Sequence, residues 1–178
     1  IQVISSGGTA SAAVISAGGK QYVRLGGSAV KAVITGSQFV SSGGKSLSTT
    51  VSSGGAAEVC DGGLFSGGAV IGSQLVSSGG VVRGAAITSK GVQTVLAGGV
   101  VSNCSAGTNG VQHVSGGTTY SMVIRPNGTQ RVSGGLAMGT KVSSGGIQVI
   151  SSGGTASAAV IGAGGKQHVR LGGSAVKA

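Results

Sequence analysis

The sequence predicts an all-β fold, a right-handed parallel β-helix of about nine coils, and three observations carry that prediction. The first is a Gly-closed turn that returns with a period. Its second Gly stands at Gly8, Gly27, Gly44, Gly63, Gly80, Gly99, Gly117, Gly135, Gly154 and Gly173, so the intervals are 19, 17, 19, 17, 19, 18, 18, 19 and 19 residues. The second is that aligning the chain on this period produces columns of like residues. The third is composition: 39 Gly and one Pro, no Trp, and only two Phe and two Tyr in 178 residues. With so few large aromatics the interior must be thin and built from Ala, Val and Ile. A unit of about 18 residues cannot bury its apolar face alone, so each coil must stack on the next. Right-handedness follows from the near-universal hand of parallel crossovers.

Each coil reads as a long arm and a short arm, exemplified by residues 9–19 and 20–27. The short arms align Ile4, Val23, Val40, Val59, Val76, Val95, Val114, Val132, Ile150 and Val169 in one β-branched column. Two residues earlier stands Gln2, Gln21, Gln38, Ala57, Gln74, Gln93, Gln112, Gln130, Gln148 and Gln167. Residues i and i+2 share a face of a strand, so the Gln column is expected on the Val side, at its edge, with amides bonding coil to coil. Between them Val3, Tyr22, Phe39, Glu58, Leu75, Thr94, His113, Arg131, Val149 and His168 vary freely, as an outward face does. The long arms supply an inward column of Ile15, Ile34, Val51, Val70, Ile87, Ala106, Ile124, Val142 and Ile161, preceded by a column of small residues that includes Ala32, Thr49, Ala85 and Cys104.

The corners are tight turns. The 17-residue coils lose two residues where Thr35-Gly36 and Ile71-Gly72 join the arms, and Lys90-Gly91, Asn109-Gly110 and Asn127-Gly128 stand in for Gly-Gly elsewhere. Gly, and Asn less readily, tolerate the positive φ that such a corner requires. Residues 1–32 and 147–178 match at 30 of 32 positions, an offset of 146 residues or eight whole coils. Because the chain starts and stops inside a repeat, residues 1–178 are expected to be a single β-helix piece of a longer protein. No membrane span or signal peptide is expected within it.

The formal net charge is +10, from 12 Lys and Arg against Glu58 and Asp61. The cations are spread at one or two per coil and fill no single column, so they read as a solvated coat that discourages random association. Nucleic acid is not an expected partner.

Laid out as G-G-x-A-x-x-A-x-V/I-x-S-G-G-x-Q-x-V-x-S-G-G, the pattern resembles the passenger repeats of self-associating autotransporter adhesins of the AIDA and TibA type. The resemblance covers essentially the whole chain. It implies a β-helix passenger displayed outside the outer membrane, self-association with like passengers, and attachment to the host cell surface. It also implies O-linked heptose added in the cytoplasm by a protein heptosyltransferase, on Ser or Thr. The candidate acceptors are the serines before Gly-Gly: Ser5, Ser6, Ser41, Ser42, Ser52, Ser53, Ser77, Ser78, Ser115, Ser133, Ser143, Ser144, Ser151 and Ser152. The first Ser of each pair follows an inward Val or Ile and is expected to be exposed. Which of the two is used stays open. From the residues alone, these serines read first as turn formers whose hydroxyls bond local backbone, and it is the resemblance that favours the acceptor reading.

No catalytic, metal or cofactor site is expected. Glu58 and Asp61 sit in one short arm, His113 and His168 lie three coils apart, and the repeats lack the Asp that calcium-binding β-rolls carry. The Gly pairs lack the Gly-Lys-Ser/Thr of a phosphate loop. Asn103-Cys104-Ser105 and Asn127-Gly128-Thr129 match the N-glycosylation sequon as chance does in a Ser/Thr-rich chain. An ice-binding or envelope-stacking solenoid is the alternative, although Thr9, Thr49, Thr88, Thr119, Thr129 and Thr140 form no single file. Cys60 and Cys104 are expected to remain unbonded, Cys60 exposed and Cys104 buried.

Overall fold

The computed structural model describes residues 1–177. They form a β-solenoid of about nine turns in which parallel strands stack into three sheets. Sheet A has ten strands, from Gln2–Ile4 to Lys166–Val169. Sheet B has ten, from Thr9–Ser11 to Ser174–Val176, and sheet C nine, from Val14–Ile15 to Val160–Ile161. Every strand pairs with its equivalent one coil away, and the registers Gln2↔Gln21, Gln21↔Gln38, Gln38↔Ala57 and Ala57↔Gln74 follow the columns expected from sequence.

The long arm is not one straight segment. It breaks between sheets B and C at a corner where Ala12, Lys31, Ser48, Gly67, Gly84, Asn103, Ser121, Gly139 and Ala158 all have positive φ. Only one coil marks this bend with a Gly doublet, Gly67-Gly68, so the two-arm reading passed over it. The corner is held by backbone bonds between coils, for example Lys31 N–H to the Leu47 carbonyl and Ser48 N–H to the Ser66 carbonyl, each at 2.8 Å. Stacking thus offsets the left-handed conformation that Ala, Lys and Ser disfavour.

The bend adds a third inward column, on sheet B, which sequence reasoning missed. Ala29, Ser46, Phe65, Val82, Val101, Thr119, Ala137 and Ala156 point inside and are buried. They meet the Val column of sheet A and the Ile/Val column of sheet C, where Val23, Val40, Val59, Val95, Ile34, Val70 and Ile124 are 0% exposed. Burying one such side chain stabilises by about 1.5–3 kcal/mol. At the far end of the stack the same columns open, and Ile161 and Val169 are exposed.

The Gln column lies inside the coil, not at its edge. Gln21, Gln93, Gln112, Gln130 and Gln148 are 0% exposed. Each amide Nε2 donates to the Oε1 one coil back at 2.6–2.7 Å, from Gln38 to Gln21 to Gln2 and from Gln167 through Gln148, Gln130, Gln112 and Gln93 to Gln74. The ladder breaks at Ala57. Gln74 Nε2 is consequently buried without a partner. The same coil carries Phe65 on sheet B, whose bulk stands where neighbouring coils have Ser46 and Val82.

The Gly period has two steric causes. The first Gly of a doublet takes positive φ, as Gly43 and Gly79 do. The second allows coils to approach: a Cβ on Gly44 or Gly80 would strike the carbonyl oxygen of Val23 or Val59 in the coil beneath. In the 17-residue coils the shortened corner is closed by paired bonds, with the N–H groups of Thr35 and Gly36 both donating to the Ile15 carbonyl.

Candidate functional site

The candidate serines lie on two of the three longitudinal edges. Along the edge from sheet A to sheet B stand Ser5-Ser6, Ser41-Ser42, Ser77-Ser78, Ser115, Ser133 and Ser151-Ser152. Ser52-Ser53 and Ser143-Ser144 lie on the edge from sheet C to sheet A. On the first edge the coils between the early serine pairs carry Arg24-Leu25, Cys60-Asp61 and Leu96-Ala97, so serine occupies alternate coils. At roughly 4.8 Å per coil these pairs stand about 10 Å apart. Ser115, Ser133 and Ser151 occupy consecutive coils, and Ser133 pairs with Ser151 in register.

Each Ser-Ser turn closes by a bond from the second Gly to the first Ser, such as Gly44 N–H to the Ser41 carbonyl at 2.8 Å. The turns come in two geometries. Ser6, Ser42 and Ser152 have positive φ together with the following Gly, the signature of a type I′ turn. At Ser53, Ser78 and Ser144 only the Gly does, as in a type II turn. Turn also bonds to turn: Ser42 N–H donates to Asp61 O at 2.8 Å, and Asp61 N–H to Ser78 O at 2.9 Å.

Within each pair the exposure is the reverse of expectation. The first serines, Ser5, Ser41, Ser52, Ser77, Ser143 and Ser151, are half-buried, and the second, Ser6, Ser42, Ser53, Ser78, Ser144 and Ser152, are exposed. The first Ser ends a strand at Ser151 and directly follows one at Ser5, Ser41, Ser52, Ser77 and Ser143, whereas the second sits at the apex of the turn. Single Ser115 and Ser133 are exposed. None of these hydroxyls hydrogen-bonds to protein among the described side-chain bonds, in contrast to Thr35, whose Oγ1 donates to the Ile15 carbonyl at 3.0 Å. The local-backbone role available to a turn serine is therefore not taken up.

The rule of Ser before Gly-Gly also missed hydroxyls. Ser16, Ser89 and Thr108 are exposed on the edge from C to A, and Ser48 and Ser121 are exposed at the corner from B to C. Alignment on turn position, instead of on the Gly doublet, would have found them.

Cys60 takes the place of a first Ser and is half-buried, not the freely exposed thiol expected. Burial, and then the charge of Asp61, push its thiol pKa up. Cys104 is buried, and desolvation pushes it up to about 11. Both are free thiols. His113, on the outward face of sheet A next to Arg131, is held below its usual value by partial burial and then by that cation. The cations scatter over every face: Lys20 and Arg131 on sheet A, Lys45 and Arg83 on sheet B, Lys141 on sheet C, and Arg24, Lys31 and Lys90 at corners. Among the described residues no helix is long and apolar enough to cross a membrane.

No protein-family model matches the chain. No curated protein sequence matches it either. Among solved structures it is similar to the crystal structure of a TibA fragment hyper-glycosylated by TibC, with 32% sequence identity and a TM-score of 0.78. The alignment covers 99% of this chain and 77% of that one. The structural likeness extends over nearly the whole of this chain at that identity, and the chain belongs to the family of autotransporter passenger-like β-solenoids that TibA represents.

Proposed function

We propose that this chain is the surface-displayed passenger region of an autotransporter adhesin, O-heptosylated at its turn serines by a protein heptosyltransferase before export. One observation carries the reading: rows of apex hydroxyls without protein partners stand on a backbone immobilised by turn-to-turn bonds. A transferase thereby meets the same rigid turn repeatedly. The hyper-glycosylation of the similar TibA fragment by TibC supports this enzyme class as the partner. In this reading the chain performs no catalysis of its own, needs no cofactor and binds no nucleic acid. It acts through its outer surface, by association with like passengers and by contact with the host cell.

Exposure selects the acceptors. Ser6, Ser42, Ser53, Ser78, Ser144 and Ser152, with the single Ser115 and Ser133, are the preferred sites, and the half-buried partner in each pair is secondary. Co-expression with a heptosyltransferase, intact mass measurement and peptide mapping test the reading. The expected result is a regular series of heptose increments mapping to the apex serines. An unmodified mass, or sugar found mainly on Ser28, Ser46 or Thr118, overturns it.

A further inference from the structure

The outer face of sheet A carries a depression of about 340 Å³. Its origin is local. Along the first outward column, Ser37, Ala56 and Ser73 are small where Lys20 and Val92 beside them are larger. Ser37 and Ser73 directly follow the shortened corners at Gly36 and Gly72, and the surface continues into a second concavity lined by Gly72 and Ser73. Along the second outward column stand Phe39, Glu58 and Leu75, which pair in that order. Phe39 is backed by Tyr22, the two rings stacked with centroids 5.0 Å apart and 13° between planes.

From this geometry we infer that the depression is a binding site for a neutral saccharide, engaged through the apolar C–H face of a sugar ring and through its hydroxyls. The alternatives are separated by charge. Glu58 is one of the two carboxylates in a chain of net charge +10, and it forms no ion pair among the described residues. An anionic ligand would meet that carboxylate at close range. A polycation would be repelled by the field of the rod as it approached. A purely apolar ligand would strip water from the carboxylate without replacing its hydrogen bonds. A neutral polyol with one apolar face satisfies every part: ring C–H groups lie against Phe39 and Leu75, hydroxyls donate to Glu58, and Ser37 and Ser73 donate or accept as needed. The volume lies at the small end of ordinary ligand pockets, which begin at roughly 300 Å³, and suits one or two rings. Ordered aromatic stacking removes the entropy cost of fixing the platform.

The inference rests on the reading of the rod as a surface adhesin, since it names the class of molecule that surface would hold. Saturation-transfer NMR on the unglycosylated chain tests it, with lactose and maltose as neutral probes, sialyllactose as the anionic probe and polylysine as the cationic one. The expected result is transfer from the ring of Phe39 to sugar C–H protons for a neutral disaccharide, reduced at least tenfold in Phe39→Ala and in Glu58→Ala. Both positions face outward, so circular dichroism of these variants should match the parent. Stronger binding of sialyllactose or polylysine than of either neutral sugar, no transfer from lactose or maltose at millimolar concentration, or transfer unchanged in both variants overturns the proposal. Each of these failures leaves the heptose increments of the preceding test untouched, so the two readings fail separately.

Discussion

At the scale of the residue, burial and charge set the chemistry of the two thiols. Cys104 stands in an inward column that elsewhere holds Ala32 and Ala85, and desolvation there lifts its pKa from 9.0 to about 11. An acid whose folded pKa is raised contributes stability that is fully present below its unfolded value and is lost as pH rises through the folded one. The melting temperature is therefore expected to fall between about pH 9 and pH 11, and to fall less in Cys104→Ala, which inserts a residue the column already accepts. An identical alkaline profile in the two proteins would refute that assignment. Cys60 is raised as well, by partial burial and by Asp61, though it stays within reach of solvent. Alkylation without denaturant at pH 8 should modify Cys60 several times faster than Cys104, yet more slowly than a free small thiol. Equal rates at the two positions would contradict the register that separates them.

The elements introduce a defect and a strain, both open to test. The amide ladder would run unbroken through sheet A but for Ala57, and its gap leaves Gln74 Nε2 buried and unpaired. An unsatisfied buried donor costs about 1–3 kcal/mol. In the preceding coil the Gln38 amide lies 2.9 Å from Ser46, and Phe65 fills the Ser46 position in register, so Ala57→Gln alone is expected to crowd Phe65, whereas Ala57→Gln combined with Phe65→Ala supplies the missing acceptor and the room for it. We expect the double variant to melt above Ala57→Gln alone, and Gln93→Leu, which would orphan the amide of Gln112, to lose roughly 1–3 kcal/mol. No loss in Gln93→Leu would show the ladder to be energetically idle. The corner between sheets B and C holds Ser48 at a φ of 54°. Ser48→Gly removes the Cβ that disfavours this conformation and should stabilise by about 0.5–1 kcal/mol in urea titration. A destabilised variant would mean that the Ser side chain contributes more than its backbone strain costs.

For the whole molecule, stability is a property of the stack. Each coil buries its inward residues against its neighbours, and at the far end of the stack Ile161 and Val169 are exposed, whereas at the near end Ile4 and Ile15 stay buried. Val95 lies mid-stack at 0% exposure. Val95→Asp would place a charge in that dry column with no cation in reach, costing on the order of several kcal/mol. The rod is expected to open at its middle, giving new protease cuts in nearby turns and an earlier melting transition. Unchanged proteolysis would count against a continuous core. The cations, distributed over all three faces, contribute a different surface property. Any adhesion they mediate should fade as salt rises, while adhesion through sugar, whether on the serine turns or in the Glu58 depression, should persist.

The period was legible in the residues because steric demands recur in every coil. A backbone that must take positive φ and then pass close to the coil beneath admits little but Gly, so Gly44, Gly63 and Gly80 mark the same place in successive turns. The Val column and the Gln column were legible for the same reason, since parallel stacking puts identical positions in contact. The bend at Ala12, Lys31 and Ser48 was not legible. Those residues adopt positive φ against their own preference because bonds to neighbouring coils hold them there, and a single-coil motif carries no trace of such bonds. The inward column of sheet B went unseen with it, because Ala29, Ser46 and Phe65 share no chemistry until the bend turns them inside. Of the candidate site, sequence determined which serines enter Gly turns. The tertiary structure decided that they lie on two edges, that the second of each pair is the exposed one, and that Phe39 and Glu58 flank a depression, because these depend on what the adjacent coils cover.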